Sequence, residues 1–306
     1  MAGWIGASRW LRRRRSGAPG EPHEIAYAYL VPVAALYGLF VLSPLYQGGW
    51  MSLFHWDGIN PATWVGLENY RDVASNPQLR TAFTHSLVLV VFYAVLPIAL
   101  ALVLTAMLSR ARQRGVSVFR AIFFLPQILP VVAIGVAWRW IYAPDGPLNG
   151  VLSTIGLGGL SRGWLGDFTL ALPAVGFVGT WTTIGFCLVL FLAGVQNIPT
   201  DLYDAAQIDG AGRRQEFLAV TLPGLRNELV VAAVVTTIAA LRGFDLIYVT
   251  TQGGPGDSTV VPSWEVYRRA FQFGDFGAAA AVGMTLATII FVVVVVLTRA
   301  LEPREA

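Results

Sequence analysis

The sequence contains no lysine, and all 21 of its basic residues are arginine. A Walker A phosphate-binding loop needs a lysine that reaches the nucleotide phosphates, so this chain cannot be a P-loop ATPase by itself. Cysteine is almost absent as well. Cys187 stands alone inside an apolar run, which excludes an internal disulfide and a thiolate metal cluster and predicts a small buried hydrophobic side chain. The three histidines, His23, His55 and His85, lie far apart in sequence and do not suggest a metal site.

Charged residues are scarce too. They make up 13% of the 306 residues, whereas a soluble domain carries about a quarter. Hydrophobic residues account for 55% of the chain, and its mean hydropathy is +0.60. These values predict a membrane protein before any single residue is considered.

Long apolar runs take the place of the missing charge. A helix needs about 20 mainly apolar residues to cross a bilayer, and six runs reach this length. We number them spans one to six: 25–46, 81–109, 121–142, 170–194, roughly 228–250 and 276–298. Span one follows the arginines at 12–15, as a signal peptide would, but it is too long for a signal core and lacks a convincing cleavage site. We therefore expect it to be retained.

The arginines predict the orientation of the spans. If six spans alternate, fourteen arginines fall on the side of both termini and six on the other side. Because arginine-rich loops stay in the cytoplasm, we expect both termini there. The chain then divides into an arginine-rich tail, a first span with an external segment, a transmembrane core with a cytoplasmic loop at about 199–224, and a second tail: 1–24, 25–79, 80–300 and 301–306.

Two further patterns concern the shape and the edges of the spans. Prolines inside the runs predict kinks, because proline removes a helical hydrogen bond: Pro32, Pro44, Pro97, Pro126, Pro130 and Pro173. Aromatic residues gather after spans one and three, which favours interfacial belts, although such rings also stack on sugars: Trp50, Phe54, Trp56, Trp64, Trp138, Trp140 and Tyr142. The Gly- and Ser-rich segment 143–168 predicts a loop with a short amphipathic piece.

The polar segment between spans four and five predicts two short helices. It reads NIPTDLYDAAQIDGAGRRQEFLAVTLPGLR. Thr200 after Pro199 is a good N-cap, and acids follow in the first turn, where they suit the helix dipole: Asp201 and Asp204. Gly210 fits the end of this first helix.

The faces of these helices favour a docking element over a solvated spacer, which is the alternative. One face of the first helix carries four residues at helical spacing: Leu202, Ala205, Ala206 and Asp209. Its alanines would let a partner approach closely. A second helix is expected over 212–222, with Phe217 and Val220 on one side, and Pro223 would end it.

This segment resembles the EAA loop of ABC importer permeases. That motif reads E-A-A, three residues, G, nine residues, I-x-L-P, and the present sequence keeps every spacing. The matching residues are Asp204, Ala205, Ala206, Gly210, Val220, Leu222 and Pro223, with Asp204 in place of Glu and Val220 in place of Ile. GLENYRDV at 66–73 and FDLIYVTTQGGPGDSTVVPSWEVYRRAF at 244–271 are similar to elements of the carbohydrate permeases, so the resemblance covers 25–300.

The resemblance implies an all-α integral membrane protein with the type I ABC importer permease fold, six transmembrane helices and cytoplasmic termini, in a bacterial cell membrane. It implies import of a mono- or oligosaccharide by alternating access. The implied partners are a second homologous permease subunit, a pair of ATP-binding cassette ATPase subunits, an extracytoplasmic solute-binding protein and membrane lipid, without nucleic acid. ATP and Mg would bind the partner ATPase, so no cofactor, metal or catalytic residue is expected in this chain.

In this family the loop forms a coupling helix that lies in a groove of the ATPase. Carried onto this sequence, the coupling loop comprises Asp201, Asp204, Ala205, Ala206, Asp209, Gly210, Arg213, Arg214 and Pro223. Asp204 is one methylene shorter than the usual Glu, so its reach to a partner donor is shorter.

Polar residues inside the spans are candidates for the substrate pathway, because charges in a membrane usually face a cavity or a partner. Arg242 and Asp245 are three residues apart and could pair on one helix face. They would either orient span five as a buried pair or line a translocation cavity. In span four, Trp181 and Thr182 could offer a flat apolar face and a hydroxyl to a sugar, with packing as the alternative for Trp181.

Three other functions stay open at this point. A glycerol-phosphate-type solute would fit the same family. A secondary transporter would need ion-coupled carboxylates inside the spans, where Asp245 is the one clear candidate. A membrane enzyme such as a glycosyltransferase would need a carboxylate or histidine cluster at a membrane face, and the sequence shows no such grouping.

Overall fold

The computed structural model describes residues 23–108 and 116–301, without the side chains of 23–28 and 116–117. The chain divides into two compact units, Met1–Trp50 and Met51–Ala306. The predicted N- and C-terminal tails lie largely outside the described residues. The predicted arginine cluster between spans two and three lies outside them too, except for Arg120.

The first unit contains span one. The helix His23–Tyr37 continues through a π-helical turn, Gly38–Leu42, into the helix Ser43–Met51. From Tyr29 to Met51 this helix is long and apolar enough to cross a membrane, which confirms span one.

The second unit is almost entirely helical. Its helices are Glu68–Ser75, Pro77–Val90, Leu96–Leu108, Val116–Ile128, Val131–Ile141, Pro147–Thr154, Ala171–Val195, Thr200–Ile208, Arg213–Glu216, Leu222–Gly224, Arg226–Leu241, Asp245–Thr250, Pro262–Tyr267 and Phe276–Leu301. Three π-helical turns, Val91–Val95, Phe217–Thr221 and Arg268–Gln272, and one 3-10 turn, Gly158–Leu160, complete them. A small antiparallel pair, Phe54–His55 with Thr63–Trp64, was not predicted.

Within the described residues, five helices are long and apolar enough to cross a membrane. They are Tyr29–Met51, Pro77–Leu108, Ala171–Val195, Arg226–Thr250 and Phe276–Leu301, which confirms spans one, two, four, five and six. Span three is a bent pair of helices, Val118–Ile128 and Val131–Ile141, that meet at 99°. We predicted one third span with kinks at Pro126 and Pro130; the helix passes Pro126 and the chain bends at Pro130. The chain turns at Pro130, which has an extended backbone (ψ 131°) and caps the second helix.

Other prolines are accommodated without a break. Proline lacks an N–H, and its ring collides with the carbonyl four residues earlier, so a wider π-helical turn at that carbonyl relieves the clash. Such a turn ends two residues before Pro44, before Pro97 and before Pro223. The predicted kinks at Pro44 and Pro97 are therefore local changes of helical pitch.

Span four is the most buried of the spans. Around its first half, Val175 and Val178 pack with Ile247 and Val260, and around its second half Cys187 and Phe191 pack with Leu225. Cys187 is fully buried, as expected of a small hydrophobic side chain. Two glycines let neighbouring helices approach closely, because a Cβ on Gly179 would collide with the Tyr93 ring and one on Gly185 with the Phe123 carbonyl.

The segments 52–76, 143–168 and 251–275 gather at one end of the second unit, which we call the loop-rich end. The amide of Asn69 donates to the carbonyls of Ser52 and Phe54, and Trp56 accepts from the N–H of Phe276. The predicted amphipathic piece in 143–168 is the helix Pro147–Thr154. At the opposite end, the Arg226 guanidinium donates to the carbonyl of Leu301 (2.7 Å), which ties the start of span five to the end of span six.

Candidate functional site

The first helix of the loop between spans four and five ends in a glycine motif. The helix Thr200–Ile208 is capped by Asp209, and Gly210 follows with a positive φ of 76°. The N–H of Ala211 donates to the carbonyl of Ala206, and the N–H of Gly210 donates to that of Gln207. These two bonds form a Schellman motif, so Gly210 ends the helix as predicted.

The N-terminus of this helix differs from our prediction by one residue. Pro199 holds the N-cap position and has no side chain that could cap, whereas Thr200 is the first helical residue. Asp201 lies in the first turn, where its charge suits the helix dipole.

The second half of the loop is longer than predicted. Arg213–Glu216 continues through the π turn Phe217–Thr221 into Leu222–Gly224, and the chain breaks only at Leu225. We expected Pro223 to end this helix; the π turn before it removes the clash, so the helix passes the proline. The hydroxyls of Tyr203 and Thr221 are 3.2 Å apart and join the two helices.

The two faces of the helix Thr200–Ile208 have different surroundings. Tyr203 and Ala206 are half-buried against the rest of the loop. Leu202, Ala205 and Ile208 are exposed, and Ile208 keeps 86% of its surface accessible. Of the two predicted alanines, Ala205 is thus the more accessible to a partner. The other predicted coupling residues, Asp201, Asp204, Asp209, Arg213, Arg214 and Pro223, are also exposed.

Span five is interrupted where its charged residues lie. The helix Arg226–Leu241 ends at Arg242, and a second helix begins at Asp245. The hydroxyl of Ser263 donates to the carbonyl of Gly243 (2.7 Å), which satisfies a backbone group freed by the break. The break changes the geometry that we assumed for the charged pair: within the described structure, Arg242 and Asp245 form no ion pair, because they do not share one continuous helix.

A cavity of about 450 Å³ opens beside this break. Spans two, three and four each contribute two residues to its wall: Leu89 and Tyr93, Val131 and Ile134, and Val178 and Thr182. Span five contributes the rest: Val235, Ile238, Ala239 and the residues 242–247. The walls are therefore mainly apolar, with a few polar groups, as is usual for sites that bind small molecules. Arg242 and Asp245 are both solvent-accessible at this cavity.

Three of the four residues predicted for the substrate pathway line this cavity: Thr182, Arg242 and Asp245. Trp181 does not; its ring packs against Trp138 with centroids 5.5 Å apart, which favours the packing alternative. Our sequence analysis missed Tyr93 and Phe244. Tyr93 carries a hydroxyl inside an apolar run, four residues after the lining residue Leu89, and Phe244 lies between the two charged residues, so both offered a signal.

A charged cluster lies at the loop-rich end. The Glu265 carboxylate is almost fully buried, 2.6 Å from the Arg268 guanidinium and 3.8 Å from that of Arg269. Arg269 also pairs with Asp72 at 2.9 Å, and Asp257 lies 3.7 Å from Arg268. Burial raises the pKa of Glu265, and the two arginines only partly oppose this shift.

A bundle of apolar helices, broken over a central cavity and carrying a structured loop at one end, has the architecture of a membrane permease. The chain belongs to the family described as binding-protein-dependent transport system inner membrane components, whose model matches residues 98–306. It is therefore a multi-pass protein of the inner membrane and the permease component of an ABC transport system.

Individual relatives agree with this family. The chain is 36% identical to the probable ABC transporter permease protein YurN of Bacillus subtilis, over 90% of this chain and 93% of that protein. It is 33% identical to the diacetylchitobiose uptake system permease protein NgcF of Streptomyces coelicolor, over 96% and 88%. Its fold matches a chain of a bacterial ABC transporter that imports the acidic polysaccharide alginate, with a TM-score of 0.78, 24% identity and coverage of 92% and 96%.

Proposed function

We propose that this chain is the permease subunit of an ATP-driven importer that moves a mono- or oligosaccharide into the cytoplasm by alternating access. The observation that carries this proposal is the cavity beside the break in span five, where Thr182, Arg242 and Asp245 stand in otherwise apolar walls. A relative that is 33% identical over nearly the whole chain takes up diacetylchitobiose. Such a cavity offers hydroxyl, guanidinium and carboxylate partners for the hydroxyls of a sugar.

Both termini and the loop at 199–224 face the cytoplasm in this proposal, and the loop-rich end faces outward. The support is the arginine asymmetry of the sequence. The loop-rich end would then receive the sugar from an extracytoplasmic binding protein, a partner implied by the family's description. A second homologous permease subunit would complete the pathway, and lipid would cover the remaining apolar surface.

The loop at 199–224 docks on a pair of ATP-binding cassette subunits, which bind ATP and Mg. Its exposed apolar side chains, Leu202, Ala205 and Ile208, support this role, because an exposed apolar patch rimmed by charge is typical of a protein-binding surface. The Schellman motif at Gly210 and the Tyr203–Thr221 contact hold the helix in one orientation. The sequence also lacks the lysine that ATP hydrolysis of this kind requires.

The experiment is co-purification of the ATPase from cells that express the complete transport system. In the Ala205→Trp variant a bulky ring replaces the exposed small side chain, and we expect the chain to be present at its normal level with at least tenfold less ATPase bound. Ala219→Ser, at an exposed position on the same loop, is the control and should behave like the wild type. Normal ATPase recovery and normal uptake in Ala205→Trp would show that this surface is not the docking site.

A further inference from the structure

A continuous row of aromatic rings leads from the loop-rich end to the cavity. In order it contains Trp56, Phe276, Phe271, Tyr267, Tyr248 and Phe244, and we call these six residues the aromatic row. Successive ring centroids are 5.8, 6.3, 5.3, 5.3 and 5.2 Å apart. The last ring, Phe244, lies in the break of span five and lines the cavity. The row therefore ends at the proposed site of the substrate.

Every ring of the row keeps part of its surface accessible. Phe271 keeps 71% of its surface accessible and Tyr248 keeps 38%, while the other four rings are half-buried. Trp264 lies beneath the row, with 4% exposure, and packs within 5.6 Å of Tyr267 and 6.0 Å of Tyr248. A buried ring thus supports the exposed ones from behind, which fixes their orientation.

Polar groups accompany the rings. The hydroxyl of Tyr248 lies close enough to that of Tyr267 to raise the pKa of Tyr267. The Arg268 guanidinium lies 5.5 Å from the ring of Phe273, beside the outer part of the row. The surface therefore combines flat apolar faces with hydrogen-bonding groups at their edges. Pyranose rings match this chemistry, because their C–H faces stack on aromatic rings while their hydroxyls point outward.

An interfacial aromatic belt does not account for this arrangement. Belt residues are distributed around a bundle at one membrane depth. The aromatic row is instead a single file that leaves the segments at 52–66 and 262–276 and reaches the cavity through the helix Asp245–Thr250. Trp140, which is 67% exposed on the second half of span three, shows no ring contact within the described structure and fits a belt.

We propose that the aromatic row is a binding track that conducts the sugar from the loop-rich end to the cavity by successive stacking on neighbouring rings. This inference rests on the proposed function, and it adds a carbohydrate-binding surface outside the cavity. The planes of successive rings differ by 47°, 81°, 40°, 76° and 28°, so a sugar would stack on the face of one ring and meet the edge of the next. Each stacking contact is weak, which allows the sugar to move on from one ring to the next.

The test is saturation-transfer NMR on the purified transporter complex, with cellotetraose as the probe. We expect signal transfer from the protein's aromatic protons to the C–H protons of the sugar. Tyr248→Ala and Phe271→Ala should each weaken binding of the probe by about two- to tenfold, as expected for the loss of one stacking contact. Trp140→Ala, a ring of similar exposure outside the row, should leave binding unchanged.

Two outcomes would overturn the track. One is equal saturation transfer in the wild type and both row variants, or none in the wild type. The other is loss of the second permease subunit from Tyr248→Ala or Phe271→Ala, which would show that the row is a subunit interface. ATPase recovery is measured on the same samples. A wild-type complex that retains its ATPase but transfers no signal to the sugar would refute the binding track and leave the proposed function standing. If no ATPase is bound, the proposed function fails, and the NMR signal of the chain still decides the track.

Discussion

Gly210 is the residue on which the shape of the predicted coupling loop depends. Its φ of 76° is unfavourable for residues with a Cβ, and no other atom lies within 4 Å of a Cβ built there. The cost of a substitution is therefore backbone strain alone. We expect Gly210→Ala to destabilise the loop by about 1 kcal/mol and Gly210→Val by about 2 kcal/mol, with a graded loss of bound ATPase in co-purification.

The matched control for Gly210 is Gly212, two residues further along the same loop. Gly212 has an ordinary φ of −72°, and the nearest atom to its added Cβ is 3.6 Å away. Gly212→Ala should therefore bind the ATPase like the wild type. Equal ATPase recovery in Gly210→Val and Gly212→Ala would contradict a role for the left-handed turn.

Because its carboxylate is buried, Glu265 should make the stability of the loop-rich end depend on pH. Its folded-state pKa is raised by burial above the ordinary value of about 4.3. The folded state therefore binds the proton more tightly than the unfolded state, so this group's contribution is fully present below pH of about 4.3 and is lost as pH rises through the raised pKa. The thermal unfolding temperature of the wild type should decline as pH rises across this window, and that of Glu265→Gln should not. Glu68→Gln, which replaces an exposed carboxylate, should retain the decline. A pH profile of Glu265→Gln parallel to that of the wild type would disprove the assignment to Glu265.

Arg242 and Asp245 are separate groups in the structure, and this changes what their removal should do. A buried ion pair would be rescued by removing both partners. If the two groups are unpaired and face a cavity, removing both should not restore transport. We expect Arg242→Ala and Asp245→Ala each to lower kcat/KM for uptake by about ten- to a hundredfold, as for the loss of a hydrogen bond to a charged group, while the complex still assembles.

The double variant decides between these two cases. Arg242→Ala combined with Asp245→Ala should transport no better than either single variant. Recovery of uptake in the double variant would show that the two residues do pair in the assembled transporter. Thr237→Ala, at a buried span-five residue one turn before the break and outside the cavity lining, serves as the comparison for assembly.

At the scale of elements, the contact between spans three and four depends on Gly185. A Cβ there would collide with the backbone carbonyl of Phe123, which is less able to move than the end of a side chain. We expect Gly185→Ala to destabilise the protein by about 1–3 kcal/mol, a typical cost of overpacking, as measured by thermal unfolding in detergent. Gly283→Ala in span six, where the nearest atom is 3.8 Å away, should be neutral or slightly stabilising. A Gly185→Ala protein as stable as the wild type would refute this tight contact.

The elements that could be predicted from the sequence are those with a local signal. Runs of apolar residues located the spans, because each must satisfy its backbone within itself in lipid. The glycine stop at Gly210 could be predicted for the same reason, since a left-handed turn is a local requirement. Pro130 gave a local signal for a kink in span three, although not for its size of 99°. The break in span five could not be predicted, because it depends on a distant partner, Ser263, whose hydroxyl satisfies the backbone at Gly243.

The candidate site shows the same limit. Thr182, Arg242 and Asp245 could be found as polar residues in apolar runs, because such residues are costly in a membrane. Tyr93 and Phe244 carry a weaker sequence signal, and only the packing of spans two and five shows that they line the same cavity. Trp181 is the complementary case: its ring packs on Trp138 and does not line the cavity, which the sequence cannot show.

At the scale of the whole molecule, span five connects the two candidate functional surfaces. Its first helix, Arg226–Leu241, begins directly after the coupling loop and ends at the cavity. The fully buried Leu225 and the Arg226–Leu301 bond anchor the loop side of this helix. A rigid helix that is held at the loop and interrupted at the cavity offers a direct route by which movement of the ATPase would reach the substrate site.

The proposed orientation of the molecule can be tested by single cysteines. Cys187 is fully buried, so the wild-type chain should react little with a membrane-impermeant maleimide. We expect Gly159→Cys, in the loop-rich end where its side chain meets no atom within 4 Å, to be labelled in intact cells. Gln207→Cys, exposed on the predicted coupling loop, should be labelled only after permeabilisation, because the proposed orientation places the loop in the cytoplasm. Labelling of Gln207→Cys in intact cells would reverse the orientation and remove the coupling loop from the reach of a cytoplasmic ATPase.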